Sequence, residues 1–339
     1  MRKPNIAILG ATGVVGREII SITEELEIEF NSIKFLSSAK SAGSSIEFQG
    51  KKYIVEEAVP DSFNGINIVM ASAGAGVSKY FAPEIVKRGG VIIDNSSAFR
   101  MEKDVPLVIS HVNDDDLKTH KGIISNPNCS TSQLMLVLKP LHEKAGIKRL
   151  IVSTYQAVSG AGLKAMNELT ANTKAVLNGE EFKNEAFKKN IAFNVIPQID
   201  VFEENGYTKE EMKVVNETKK ILHLDINTPI SCTAARVPVY RGHSEAVDIE
   251  FEKEITPADI REILNNSFGV KVIDNPATYE YPTALDAANT NPVFIGRIRR
   301  NLAFKTGISL WCTADNLRIG AALNTVRLCK KVIEWELYQ

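Results

Sequence analysis

At 339 residues the chain exceeds what one hydrophobic core usually serves, so two domains are expected. Its 44% hydrophobic and 24% charged residues exclude a disordered or fibrous polypeptide. Forty basic against 41 acidic residues leave a net charge of -1, which gives no chain-wide attraction to nucleic acid or an anionic membrane, so any anion site must be local. The four cysteines (Cys129, Cys232, Cys312 and Cys329) show no CxxC or zinc spacing, which argues for a reduced, cytoplasmic protein without a disulfide framework or metal site. No stretch reaches the roughly 18 apolar residues of a membrane span, and the first residues read as structure rather than as a leader.

The opening segment, MRKPNIAILGATGVVG, predicts a strand at Ile6–Leu9, a turn through Gly10, Gly13 and Gly16, and a helix with Ile19, Ile20 and Ile22 on one side. Further strands are expected at Ile33–Leu36, Ile66–Ser72, Val91–Asp94, Leu107–Ser110 and Gly122–Ser125, with helices or loops between them. Such alternation predicts an α/β fold with a doubly wound parallel sheet of the Rossmann type.

After Asn128 the pattern changes. A helix beginning near Cys129 carries Leu134, Leu138 and Leu141, and a new strand follows at Ile151–Thr154. The polar, helix-prone stretch Leu163–Lys189 predicts a helical excursion, either a lid or a dimer arm. Strands at Ala246–Phe251, Val293–Arg297 and Ile308–Thr313 predict an α+β catalytic and dimerisation domain with a mixed or antiparallel sheet. The periodic apolar residues of 316–336 must pack on something, and they are placed back on the first domain. The expected division is 1–128 plus the C-terminal helix at 315–339, and 129–314.

Glycines in GATGVVG let a pyrophosphate approach backbone amides at a helix N-terminus. The first two are three residues apart rather than two, so the standard dinucleotide fingerprint is not met. At the end of the second strand, where an NAD enzyme offers an acid to the ribose, the chain has Ser37-Ser38-Ala39-Lys40-Ser41-Ala42-Gly43. Hydroxyls and an ammonium suit a 2′-phosphate, so NADP is the expected cofactor.

In NPNCSTSQ, Cys129 opens a helix whose positive end favours a thiolate, the competent nucleophile; the alternative is a small buried hydrophobe. Of the five histidines, only His243 lies in a polar turn before a strand, with Arg236 earlier on the chain. In one unbroken strand their odd separation would put them on opposite faces, but Pro238 and Gly242 offer a break. Thr208-Lys209-Glu210-Glu211 is a capping box that gives Glu211 a structural task. Glu210 and Lys213 share a helical face, where a solvated ion pair is the plain reading. Arg100 follows the strand at 91–94, at the sheet edge where ligands bind, and could grip a phosphate or be a surface charge.

Together, GATGVVG, SSAKSAG, DNSSAFR, NPNCSTSQ, TYQAVSGAG, YTKEEMKVVNETKKI, RVPVYRGHSEAV, FIGRIRR and ADNLRIGAA resemble the aspartate-β-semialdehyde dehydrogenase family along nearly the whole chain. The resemblance implies that Cys129 forms an acyl-enzyme, His243 serves as general acid and base, and Gln156 positions the substrate and the reacting carbonyl. It implies Arg236 for the substrate α-carboxylate, Glu210 for its ammonium, and Arg100, Asn128 and Lys213 for phosphate. Gly10, Thr12, Gly13, Val14, Val15, Ser38, Lys40, Ser41, Ala42, Ser159, Gly160 and Asn316 are the implied contacts to NADP.

One departure is Lys40, where bacterial members commonly have arginine; a point charge without a bidentate fork weakens the preference for NADP. The resemblance also implies a homodimer or homotetramer acting on aspartyl phosphate, aspartate semialdehyde and phosphate in lysine, methionine and threonine biosynthesis. The rival readings are an N-acetylglutamyl-phosphate reductase, against which Glu210 speaks, and an inactive NADP-binding paralogue.

Overall fold

The computed structural model describes residues 3–338, so residues 1, 2 and 339, at the ends of the two ranges expected for the first domain, lie outside the described residues. The chain divides into two units, one of residues 1–128 and 321–339 and one of residues 129–320. Each is built around its own sheet.

The first unit begins with β1 (Asn5–Leu9), α1 (Val14–Glu25) and β2 (Ser32–Ser37). A hairpin of β3 (Ser45–Phe48) and β4 (Lys51–Ile54) leads to the two-residue β5 (Glu56–Glu57). Then come β6 (Ile68–Ala71), α2 (Ala75–Lys87), β7 (Val91–Asp94) and β8 (Ile123–Ser125). The six-stranded sheet runs β5-β2-β1-β6-β7-β8 with every pair parallel. β6 and β7 are buried along their whole length, as parallel strands covered on both faces must be. The chain leaves β1 toward β2 on one side and resumes at β6 on the other, so the C-terminal end of β1 is the switch point where such sheets bind ligands.

The expected strand at Leu107–Ser110 is absent; only Leu107 bridges to Ser125. Side chains satisfy its backbone instead. Asn113 takes the Ile109 N–H at 2.9 Å and donates to the Leu107 carbonyl at 2.9 Å, while Asn324 takes the Ser110 N–H at 2.8 Å and donates to Val108 at 2.9 Å. With those groups paired, no ladder is needed.

The second unit starts with α3 (Cys129–Ala145), β9 (Ile147–Gln156) and α4 (Leu163–Asn178). It continues through α5 (Lys209–Ile221), β10 (Ile230–Arg236), β11 (His243–Phe251) and α6 (Pro257–Asn265). β12 (Val270–Val272), α7 (Ala284–Ala287), β13 (Val293–Arg300) and β14 (Gly307–Ala314) complete it. The sheet order is β10-β9-β11-β14-β13-β12. It is mixed: the two outer pairs are parallel and the three inner pairs antiparallel.

The helical excursion is shorter than the expected Leu163–Lys189. Gly179, at φ +70°, caps α4 in the left-handed conformation. Beyond it the chain is irregular, and the Glu168 carboxylate accepts the N–H groups of Glu185, Ala186 and Phe187.

Residues 315–320 belong to the second unit rather than to the first as expected. Asp315 is buried among Arg241 and the N–H groups of Asn289 and Leu317, and Asn316 bonds to Ser159 and Gly242. After a π-helical turn at Arg318–Ala322, the last helix, α8 (Leu323–Glu334), packs on α1, β6 and β7 of the first unit. Among the described residues no helix is long and apolar enough to cross a membrane.

Candidate active site

The first unit holds the glycine turn. Gly10 sits at φ +83°, and a Cβ there would lie 2.9 Å from the Ser72 carbonyl oxygen, so glycine is required both for the turn and for the close approach of the segment after β6. Gly13 precedes α1 without a side-chain cap, which leaves the first-turn amides, including those of Val14 and Val15, to an anion. Thr12 Oγ1 bonds Ser37 Oγ at 2.8 Å, joining this turn to the end of β2. Ser38, Ser41 and Ala42 form a turn in which the last two N–H groups reach the Ser38 carbonyl, at 2.9 and 3.0 Å. Lys40 is exposed on it. A glycine cradle and an open helix N-terminus fit the pyrophosphate of a dinucleotide.

The same unit carries Arg100 and Asn128, both buried. Arg100 donates from Nε to the Asn126 carbonyl at 2.9 Å and from Nη2 to the Asn95 carbonyl at 2.7 Å. Asn126 in turn donates to Asn95 Oδ1 at 2.7 Å, and Thr325 of the C-terminal segment donates to the same oxygen at 3.0 Å. The guanidinium is therefore held before any ligand arrives.

In the second unit Cys129 is the first residue of α3 and, of the four cysteines, the one that is not buried. The backbone of Gly320 lies so close that a Cβ there would be 2.8 Å from Cys129 Cβ. Gln156 ends β9 and Arg236 ends β10, in register as parallel neighbours. Gln156 Nε2 lies 2.9 Å from Ser130 Oγ, 3.3 Å from Thr154 Oγ1 and 3.3 Å from Glu210 Oε1, so one buried amide ties α3, β9 and α5 together.

Arg236 is 5% exposed and donates from Nη1 to the Ala157 carbonyl at 2.8 Å. Burial lowers its pKa, while the charges of Glu210 and Cys129 act the other way. Glu210 is 5% exposed, in the first turn of α5 behind the Thr208–Glu211 capping box. Its Oε2 accepts from Lys213 Nζ at 2.9 Å, and Asp200 takes the same ammonium at 3.0 Å. Burial works against that ammonium, yet the two carboxylates hold its pKa above the ordinary value.

His243 is fully buried at the start of β11, on a different strand from Arg236, and the 237–242 turn between them removes the parity objection. Its Nδ1 accepts the Ala157 N–H at 3.0 Å. An amide nitrogen can only donate, so the neutral ring carries its hydrogen on Nε2. Burial, and then the charge of Arg236, push this imidazole well below its usual pKa, which keeps it neutral.

Gly160 completes the group. A Cβ there would meet Arg236 Nη1 at 3.0 Å and His243 Nε2 at 3.2 Å, so both side chains converge on a place where even a methyl group would crowd them. Ser159 and Asn316 are buried and bonded to each other, and Asn316 Oδ1 also accepts the Gly242 N–H at 3.0 Å, fixing the turn before His243. Asp200, Gly320 and the Ala157 peptide take part without having been singled out by sequence. Asp200 lies in an irregular loop before α5, with no periodicity to join it to Lys213.

Residues 138–319 match the family described as semialdehyde dehydrogenase, dimerisation domain, and residues 5–120 the semialdehyde dehydrogenase NAD binding domain. The chain is 50% identical over 333 residues to the aspartate-semialdehyde dehydrogenase of Aquifex aeolicus, covering 97% of this chain and 98% of that one. It is 47% identical to that of Bacillus subtilis, covering 97% of each. Among solved structures, aspartate semialdehyde dehydrogenase II of Vibrio cholerae, complexed with ASA, is 38% identical with a TM-score of 0.95, over 98% of this chain and 99% of that one. The protein is an oxidoreductase with an NAD(P)-binding domain and a dimerisation domain, and it belongs to the aspartate-semialdehyde dehydrogenase family.

Proposed function

We propose that the chain catalyses the NADPH-dependent reductive dephosphorylation of L-4-aspartyl phosphate to L-aspartate 4-semialdehyde, through a thioester on Cys129. The observation that carries this reading is the pairing of two buried, opposite charges, Arg236 and Glu210, in the unit that holds Cys129. A free α-amino acid head group has the complementary pair: its carboxylate answers the guanidinium and its ammonium the carboxylate. An N-acetylated substrate lacks the ammonium and cannot add a charge-assisted bond to Glu210, which disfavours the N-acetylglutamyl-phosphate reductase reading.

The thiolate of Cys129 attacks the acyl carbonyl, the C–S bond forms, and the C–O bond to phosphate breaks with phosphate carrying away the electron pair. Arg100, Asn128 and Lys213 receive that phosphate. Gln156 orients the acyl group, and Nε2–H of His243 donates to the carbonyl oxygen as negative charge collects there. A reduced dinucleotide, when bound, would supply the hydride that converts the thioester to the aldehyde. As the resulting oxyanion collapses, the C–S bond breaks and Cys129 leaves again as thiolate. The net reaction takes up one proton, which the departing phosphate acquires from solvent as it becomes hydrogen phosphate; at the acyl carbon, where thiolate is both attacking and leaving group, the neutral His243 acts by donating its Nε2–H.

Gly10, Thr12, Gly13, Val14, Val15, Ser38, Lys40, Ser41, Ala42, Ser159, Gly160 and Asn316 would hold the dinucleotide. NADP is preferred over NAD because the turn after β2 offers hydroxyls and Lys40 in place of an acid. We infer further that the protein works in the cytoplasm as a homodimer or homotetramer in lysine, methionine and threonine biosynthesis.

The test is phosphate-dependent reduction of NADP with aspartate semialdehyde, run beside NAD and beside the N-acetylated five-carbon aldehyde. Aspartate semialdehyde with NADP should be turned over fastest, and Cys129→Ser should lose at least about a thousandfold, roughly 4 kcal/mol of barrier. Faster turnover of the acetylated aldehyde, or near-native activity of Cys129→Ser, removes the assignment.

A further inference from the structure

Behind the proposed thiol and imidazole lies a second pair for which the reaction has no use. Gln133 is four residues after Cys129 on α3 and therefore shares its helical face. Glu245 is two residues after His243 on β11 and shares its strand face. α3 packs on β11, and Gln133 Nε2 reaches toward the His243 carbonyl at 3.5 Å, so the two pairs run side by side along the same two elements.

Glu245 and Gln133 are each 0% exposed. Among the described residues, neither carboxyl oxygen of Glu245 nor Oε1 of Gln133 makes a hydrogen bond of good geometry, although the Gln133 side chain lies near enough to the carboxyl to act on its titration. Three buried acceptors thus gather with no well-placed donor among the described residues. An ionised carboxylate would make this worse, since it can only accept, whereas one proton turns a Glu245 oxygen into the donor that Gln133 Oε1 lacks. Burying a lone charge would cost far more than burying the neutral acid.

The surroundings point the same way. Glu245 stands in register with Cys312 on β14 and Thr154 on β9, and Cys232 on β10 lies close enough to feel its charge. Burial, with the charge of Glu245, raises both the Cys312 and the Cys232 thiols, and Glu211 and Glu210 of α5 add to the effect on Cys232. Both thiols are therefore neutral. On its own strand His243 is neutral as well. No cation among the described residues acts on the carboxyl; burial raises its pKa to about 8, with the Gln133 amide pulling in the other direction.

We propose that Glu245 is held as a neutral carboxylic acid which, bonded to Gln133, braces the first turns of α3 against β11 and acts as a positioning residue for Cys129 and His243. The proposal rests on the reading of Cys129 and His243 as the reacting pair. It predicts that a glutamine, neutral and able to donate, can replace Glu245, while an apolar residue of similar size cannot.

The experiment uses the full-length enzyme with Glu245→Gln and Glu245→Leu. The infrared difference spectrum of wild type minus Glu245→Gln at neutral pH should show a carboxylic acid band that gives way to carboxylate bands as the pH passes about 8. Glu245→Gln should keep kcat within about twofold and lose the alkaline fall in kcat that accompanies this titration, whereas Glu245→Leu should lose about ten- to a hundredfold in kcat with KM little changed. An absent acid band at neutral pH, as when a water bridges an ionised carboxylate, overturns the proposal. So does a Glu245→Leu enzyme with native kcat and native Cys129 alkylation, or an alkaline limb that Glu245→Gln retains. If Glu245→Leu does not fold, the band and the Glu245→Gln profile still decide. Failure of the reading beneath it shows up separately, as turnover by Cys129→Ser, which leaves the infrared band untouched.

Discussion

The Ala157 peptide serves both charged and neutral partners of the site: its N–H donates to His243 Nδ1 at 3.0 Å, and its carbonyl accepts from Arg236 Nη1 at 2.8 Å. The two backbone groups of one residue thus fix the tautomer of the imidazole and the direction of the guanidinium. A second proton on His243 would have to displace the Ala157 N–H from Nδ1, in a place where burial and Arg236 already oppose positive charge. The folded pKa is depressed, so the neutral ring persists as pH falls through the ordinary value of about 6.5. The unfolded chain takes up that proton first, and stability is lost on the acid side. Measured against pH, kcat should therefore show no limb at about 6.5. A limb at that position that disappears in His243→Gln would mean that the ring charges in the working enzyme.

Gly160→Ala tests the convergence at the same place. The added methyl would sit 3.0 Å from Arg236 Nη1 and 3.2 Å from His243 Nε2. Neither neighbour can retreat easily, because both are bonded to Ala157. Displacing them by a few tenths of an ångström should lower kcat/KM by about ten- to a hundredfold. Gly160 is exposed and has no positive φ, so the thermal midpoint should barely move. Unaltered kinetics with an unaltered midpoint would show that the methyl is accommodated and that the spacing is not needed.

Lys213 is shared between Glu210 and Asp200, at 2.9 and 3.0 Å. Phosphate must then compete with Asp200 for the ammonium. Lys213→Ala should raise the phosphate KM by about tenfold or more, as expected for losing a charge-assisted bond. Asp200→Asn should lower that KM by about two- to fivefold, because a partly exposed ion pair is being relieved. A phosphate dependence unchanged in both variants returns Lys213 to a structural ion pair.

What could be read beforehand divides along a physical line. The glycine turn, the capping box at Thr208 and the parallel strands other than the two-residue β5 were legible because each is a local pattern: spacing, capping chemistry or a run of buried apolar residues. β10 was not, since ISCTAAR buries Cys232, Ala234 and Arg236 on alternate positions and has no apolar run. The false strand at Leu107–Ser110 has the apolar run, but Asn113 and Asn324 satisfy its backbone, and nothing local announces a partner so distant in sequence as Asn324. The same holds in the site. Cys129 and His243 could be suspected from their own neighbours, whereas Asp200 beside Lys213 and Gln133 beside Glu245 depend on how remote segments pack.

Burial also sorts the cysteines. Burial raises the Cys232 thiol first of all, with Glu245, Glu211 and Glu210 adding to the effect, and it pushes Cys329 up to about 12 and Cys312 well above its ordinary value. A thiol protonated at neutral pH and closed off from reagent is a poor nucleophile. Cys129, partly open at the start of α3, is not closed off in this way. Brief treatment of the native enzyme with iodoacetamide near neutral pH should therefore place one carbamidomethyl group on Cys129, and activity should fall in step with that modification. Peptide mass spectrometry reads the position directly. Unfolding in denaturant should expose the other three to the same reagent. Labelling of Cys232, Cys312 or Cys329 ahead of Cys129, or inactivation that runs ahead of Cys129 modification, would take the reacting sulfur away from α3.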